Sequence, residues 1–253
     1  MRSRALSVFV VLAALVLVPA CKEDGGVKVS SLTFTGNQAV TSDQLKTILA
    51  TQASSKLPWG EDRYFSREQF EADLKRIVAF YTDRGFPDAT VTSFDVQLND
   101  DQSEVDITIH IDEREPVRVE RITFTGFDPL SEAALARLEA GLPLQTGQPL
   151  DRALLQASRE AALEDLRDQG YPYASVKINE SPGSNDRARV IEFSATPGPI
   201  AYHGEVDLVG NSSVSDDVVR RYLTFKPGDL FRSSQLRESQ RRLYRLEVFQ
   251  FAN

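Results

Sequence analysis

The chain has 253 residues, 41% of them apolar and 26% charged, with a formal net charge of −8 and one cysteine. That length suffices for two or three small domains. The acidic balance argues against a nucleic-acid partner, and a lone cysteine excludes an internal disulfide.

Residues 1–21 read differently from the rest. Arg2 and Arg4 make a basic start, and Ala5 to Ala20 is almost continuously apolar. This is the pattern of an export signal, too short and too close to the terminus for a membrane-spanning helix. The run Leu17-Val18-Pro19-Ala20-Cys21 resembles the bacterial lipobox. That resemblance implies cleavage before Cys21, lipidation of its thiol and anchoring of the mature chain. Lys22 in place of Asp fits the outer membrane in lipoprotein sorting. Removing the leader takes away two arginines, so approach to anionic lipid would depend on the anchor rather than on side-chain charge.

The remainder is a repeat. Ser31-Leu32-Thr33-Phe34-Thr35-Gly36, Arg121-Ile122-Thr123-Phe124-Thr125-Gly126 and Glu205-Val206-Asp207-Leu208-Val209-Gly210 are short alternating strands, each ending in glycine. Self-similarity at this period indicates an array of like units. The first unit, residues 27–116, opens with such a strand. Thr41-Ser42-Asp43 then caps a helix carrying Leu45, Ile48 and Leu49. A longer connection holds Pro58-Trp59-Gly60. Ser66 caps a second helix, with Gln69 as its capping-box partner. Phe70, Leu74, Ile77, Val78 and Tyr81 form one apolar stripe on that helix. Gly85 ends it and Pro87 blocks its continuation. A hairpin follows: a strand over 89–98, a turn at Asn99-Asp100-Asp101, and strict alternation through Val105, Ile107, Ile109 and Ile111.

The second unit, residues 117–199, repeats this order. It has a strand over 119–125, a helix from Ser131, a helix over about 151–168, Gly170-Tyr171-Pro172, and strands around 174–179 and 188–195. The third, residues 200–253, has a strand at 205–209, a Ser215-capped helix and a last helix opened by Ser233 or Ser234. Val248-Phe249-Gln250-Phe251 then begins a strand, so the third unit is incomplete and the sequence reads as a cut in a longer protein. The fold class is therefore α+β: tandem β-α-α-β-β units, each with two helices on a three-stranded mixed sheet. Gly36, Gly126 and Gly210, with Gly85 and Gly170, serve as structural turns, since glycine tolerates positive φ. The Pro-containing linkers at 114–116 and 196–199 allow modest bending between units.

The strand ending in Gly-Asn, the Leu-Tyr near the end of the last helix and the Gly-aromatic-Pro before the hairpin resemble polypeptide-transport-associated (POTRA) domains. These are the periplasmic repeats of the Omp85 family of outer-membrane assembly and translocation factors. The resemblance covers about residues 27–253. It implies a location at the outer membrane with these domains on the periplasmic side, and a carboxy-terminal β-barrel beyond residue 253. It also implies unfolded outer-membrane protein clients and accessory lipoproteins as partners, bound by β-augmentation at an edge strand. The first hairpin strand would be that edge. Val91, Phe94 and Val96 in one unit and Val176 and Ile178 in the next are then the candidate contact residues, some of which must face the helices. A second reading is a structural or division-type periplasmic protein that holds one fixed partner without a barrel.

Other chemistry finds little support. His110 and His203 lie in different units, and His110 reads as part of a solvated strand face rather than a metal ligand. The Asp-rich turns lack calcium-loop spacing. No serine has a nucleophile-elbow context, so neither enzyme nor cofactor is expected. Trp59 is expected to pack over the helices or against the neighbouring unit rather than stand exposed.

Overall fold

The computed structural model describes residues 26–57, 59–210 and 214–245. The leader, Cys21 and the strand expected at 248–251 lie outside these residues.

The first unit runs β1 (Lys28–Thr35), α1 (Ser42–Ile48), α2 (Arg67–Asp83), β2 (Thr90–Leu98) and β3 (Glu104–Asp112). The complete capping box sits at α1. There the Thr41 hydroxyl accepts the Gln44 amide at 3.3 Å, and Gln44 Oε1 accepts the Thr41 amide at 3.0 Å. Ser66 makes only the forward half, accepting the Gln69 amide at 3.4 Å. The sheet order is β1-β3-β2, with β1 parallel and β2 antiparallel to β3. A parallel pair needs a long crossover, and the two helices supply it. The hairpin then leaves β2 on an edge. Alternation along β3 buries Val105, Ile107, Ile109 and Ile111 under the helices, against Phe70, Ile77 and Tyr81.

The second unit repeats the plan with β4 (Arg118–Thr125), α3 (Glu132–Gly141), α4 (Arg152–Asp168), β5 (Ser175–Pro182) and β6 (Ala188–Thr196), in order β4-β6-β5. Even the irregularities match: the first strand slips register at Val29/Ser31 and again at Val119/Arg121. Each unit has its own core. Gly36 and Gly126 occupy equivalent strand-to-helix turns. Their φ values are +80° and +74°, and a Cβ would stand 2.0 Å from the Ile111 carbonyl oxygen and 2.2 Å from that of Ala195.

The third unit departs from expectation. Its helices α5 (Asp216–Tyr222) and α6 (Ser233–Tyr244) form, but residues 205–209 are not a strand. In the first two units the opening strand finds its strand partner in the last strand of its own hairpin, and no described residue supplies that partner here.

Three backbone clips recur where the opening segment of each unit meets the connection before the second helix. The Phe65 amide donates to Val27 O at 2.8 Å, that of Leu150 to Val117 O at 2.8 Å, and that of Phe231 to Ala201 O at 3.0 Å. The same segments make the joints between units. The Val117 and Ala201 amides donate to Gly85 O and Gly170 O, both at 2.8 Å. Gly85 has φ +90°, and a Cβ there would meet the Leu150 backbone. Across the first joint Arg84 pairs with Asp151 at 2.6 Å, and Arg187 pairs with Asp88. Across the second, Asp168 accepts the Ser234 amide at 2.7 Å, and Glu164 accepts from Ser233 and Arg237. The prolines of the linkers are thus accompanied by polar bonds that hold neighbouring units together.

A buried polar residue also recurs, seven positions after each second-helix N-cap. Asp73 accepts the Ala50 and Thr51 amides at 3.0 and 2.7 Å. Ser158 accepts the Leu144 amide, and Ser239 the Thr224 amide, both at 2.9 Å. Each satisfies the backbone just after the first helix, where the Thr51 and Leu144 amides would otherwise be buried unpaired.

Candidate functional site

The feature that differs most between the two complete units is the hairpin edge. In the first, β2 places Val91, Phe94, Val96 and Leu98 opposite Ile111, Ile109, Ile107 and Val105. All four partners are buried under the helices, so all four β2 residues point to the helix side. A register shift between Val91 and Ser93 keeps Val91 in phase with the others. Val91 packs on the core, yet Phe94, Val96 and Leu98 remain 48%, 40% and 52% exposed. The Phe94 ring stands edge-on to Phe70, 5.1 Å between centroids. Between β2 and α2 runs a cleft of about 550 Å³, lined by Glu71, Leu74, Lys75 and Val78 from the helix and residues 90–94 from the strand. An unpaired strand edge thus lies beside an apolar slot that α2 does not fill.

The second unit closes the equivalent slot. Val176 and Ile178 lie opposite Ala195 and Phe193 on the helix side. Val176 is buried and Ile178 packs on the core, so both side chains belong to the core of their own unit. The next inward position is Glu180. It accepts from Arg152 on α4 at 2.7 Å and lies 3.5 Å from Arg189, an ionic strap between helix and edge. Pro182 ends the strand without an amide hydrogen. At the equivalent buried position the two helices differ in bulk, Ile77 in α2 and Ala162 in α4.

The opposite face of the first sheet is a polar ladder. Ser31 donates to Asp106 at 2.5 Å, Thr33 bonds Thr108 at 2.9 Å, and His110 joins Thr35 at 2.7 Å to Asp95 at 2.8 Å. His110 therefore serves as a cross-strand link. Among the described residues no group of three or more His, Cys, Asp or Glu could hold a metal. Trp59 overturns its expectation: it is 81% exposed.

A model of the POTRA family, described as surface antigen variable number repeat, matches residues 27–114, 117–194 and 201–252. The chain belongs to the POTRA family. BamA, the outer membrane protein assembly factor of Neisseria meningitidis serogroup B, is 24% identical over 228 residues, 90% of this chain and 28% of that protein. A putative outer membrane protein assembly factor of Treponema pallidum is 25% identical over 225 residues, 87% of this chain and 26% of that one. The chain thus spans about a quarter of these curated relatives. The crystal structure of POTRA domains 3–5 of Haemophilus influenzae BamA superimposes with a TM-score of 0.52 at 25% identity, covering 90% of this chain and 89% of that one. In this POTRA array Leu98 joins the edge residues expected from sequence, and Leu74 and Val78, which the sequence places in an apolar stripe, line the cleft. The near-regular alternation of Phe94, Val96 and Leu98 was the available signal.

Proposed function

We propose that this chain is the non-catalytic, periplasmic substrate-binding and scaffold region of an outer-membrane protein assembly factor. Its binding element is the β2 edge of the first unit. A client segment adds to β2 as a further strand, and its alternate side chains enter the slot against Phe94, Val96, Leu98, Leu74 and Val78. Backbone hydrogen bonds make few demands on sequence, which suits diverse unfolded clients. The observation that carries this reading is the half-exposure of three inward-facing apolar residues beside an open edge. The β5 edge is the weaker acceptor, because Val176 and Ile178 are committed to their own core. The same reading includes accessory lipoproteins as further partners, a lipidated Cys21 and a carboxy-terminal barrel in the full protein. It also takes the domain limits as 27–116, 117–199 and 200–253.

Photo-crosslinking with a peptide from an outer-membrane β-strand tests it. A crosslinker at Val96 should capture the peptide, and one at Lys177 should not. Half-exposed Phe and Val side chains each stand to gain about 1 kcal/mol on full burial. Phe94→Asp with Val96→Asp should therefore weaken binding by at least about tenfold. Equal capture at both edges, or unchanged affinity in the folded double variant, would refute the assignment.

A further inference from the structure

The connection between α1 and α2 is a built element. The Ser55 amide donates to Glu61 O at 3.1 Å and the Gly60 amide to Leu57 O at 2.9 Å, so residues 59–61 turn back alongside 55–57. Its base is clipped to the opening strand. The Ser54 amide donates to Val29 O, and the Val29 amide to Arg63 O, both at 2.8 Å. Gly60 lies against Ser55, where a Cβ would stand 2.0 Å from the Ser55 side chain. This stiff turn presents Leu57 at 57% and Trp59 at 81% exposure, and Tyr64 beside its base is 48% exposed. The acids of the segment are neutralised locally: Asp62 pairs with Lys28 at 2.7 Å and Glu61 with Arg63 at 2.5 Å. Lys56 adds an exposed cation next to Leu57.

We propose that this turn is a bilayer-interface contact that seats the first unit on a phospholipid surface. Trp and Tyr prefer the interfacial layer, where the ring meets hydrocarbon and the polar atom meets headgroups. A lysine beside them reaches the headgroups along its aliphatic stem. The proposal rests on Cys21 being the lipid attachment point. Gly26 packs against the Tyr64 ring, so the chain enters the unit beside the base of the turn. Cys21 lies five Cα–Cα steps from Gly26. Fully extended they reach at most about 18 Å, which keeps the bilayer within range of the turn. One apolar turn is a weak membrane signal by itself. Combined with a tether it becomes the second of the two signals that stable seating needs.

Trp59 is the sole tryptophan and Cys21 the sole cysteine, so each can be addressed singly. Residues 21–253 are coupled through the Cys21 thiol to a maleimide lipid in phosphatidylcholine vesicles. This tethers the chain whether or not the cell lipidates it. Trp59 emission should move to shorter wavelength on tethering and be quenched by brominated acyl chains. Leu57→Asp should abolish most of both effects while circular dichroism stays native. Emission that remains water-like and unquenched in the tethered, folded chain would overturn the docking proposal. Mass spectrometry of the exported protein reports on lipidation separately. An unmodified cysteine with quenched Trp59 upholds the turn as a membrane contact and removes only its natural tether. A lipidated cysteine with unquenched Trp59 overturns the contact and leaves lipidation standing.

Discussion

Replacing Asp73 should reveal how much one buried carboxylate contributes to the first unit. Its side chain is fully buried, accepts the Ala50 and Thr51 amides and pairs with Arg76. Asp73→Ala removes both acceptors. The Thr51 amide is buried and would be left unpaired, at about 1–3 kcal/mol, whereas Ala50 is exposed enough to regain water at a smaller loss. Arg76 is half exposed and rehydrates. The expected total is about 2–3 kcal/mol. Asp73→Ser imitates Ser158 and Ser239, keeps one acceptor, and should cost about 1 kcal/mol. The pH dependence has a definite sign. Burial alone would raise the Asp73 pKa, but the Ala50 and Thr51 amides and Arg76 outweigh it and hold the carboxyl below its ordinary value. A depressed folded-state pKa stabilises the fold above the unfolded value of about 3.9, and that stability is lost as pH falls through the folded value. The wild-type advantage over Asp73→Ser should thus be full at neutral pH and shrink in acid. Urea unfolding followed through the amide signals of β3 isolates this unit from its neighbours, which need not unfold in one step. Equal midpoints for all three proteins, or an advantage that stays constant from pH 7 to strong acid, would refute the argument.

Gly36→Ala and Gly126→Ala should each cost more than 2 kcal/mol, because a left-handed residue is joined by a Cβ driven into a backbone carbonyl. Gly210→Ala has the same sign of φ and nothing within 4 Å of its Cβ, so about 1 kcal/mol is expected; thermal unfolding of the three variants gives the comparison. At the first joint Asp151 caps α4, accepting the Ala153 amide at 2.8 Å, while its other oxygen takes Arg84. Asp151→Asn should keep most of the cap and lose the ion pair, loosening the relative orientation of the units in residual dipolar couplings. Asp151→Ala should in addition lose about 1 kcal/mol of helix stability.

Much of this protein could be read along the chain. The alternation of Val105, Ile107, Ile109 and Ile111, the stripe through Phe70 and Tyr81, and the repeated glycine turns depend on local periodicity and φ, which each segment carries itself. Repetition then multiplied weak signals into a fold. What periodicity could not decide was which edge strand its helix covers. Val91, Phe94, Val96, Val176 and Ile178 look alike as alternating apolar residues, yet Phe94 lines an open slot and Val96 stays half-exposed while Val176 is sealed in a core. At the second edge Glu180 meets Arg152 of the helix, a contact between residues far apart in the chain that the first edge does not share. Trp59 and the strand expected at 205–209 failed for the same reason. Apolar residues state a need for cover, and only the three-dimensional arrangement decides whether a partner stands close enough to provide it.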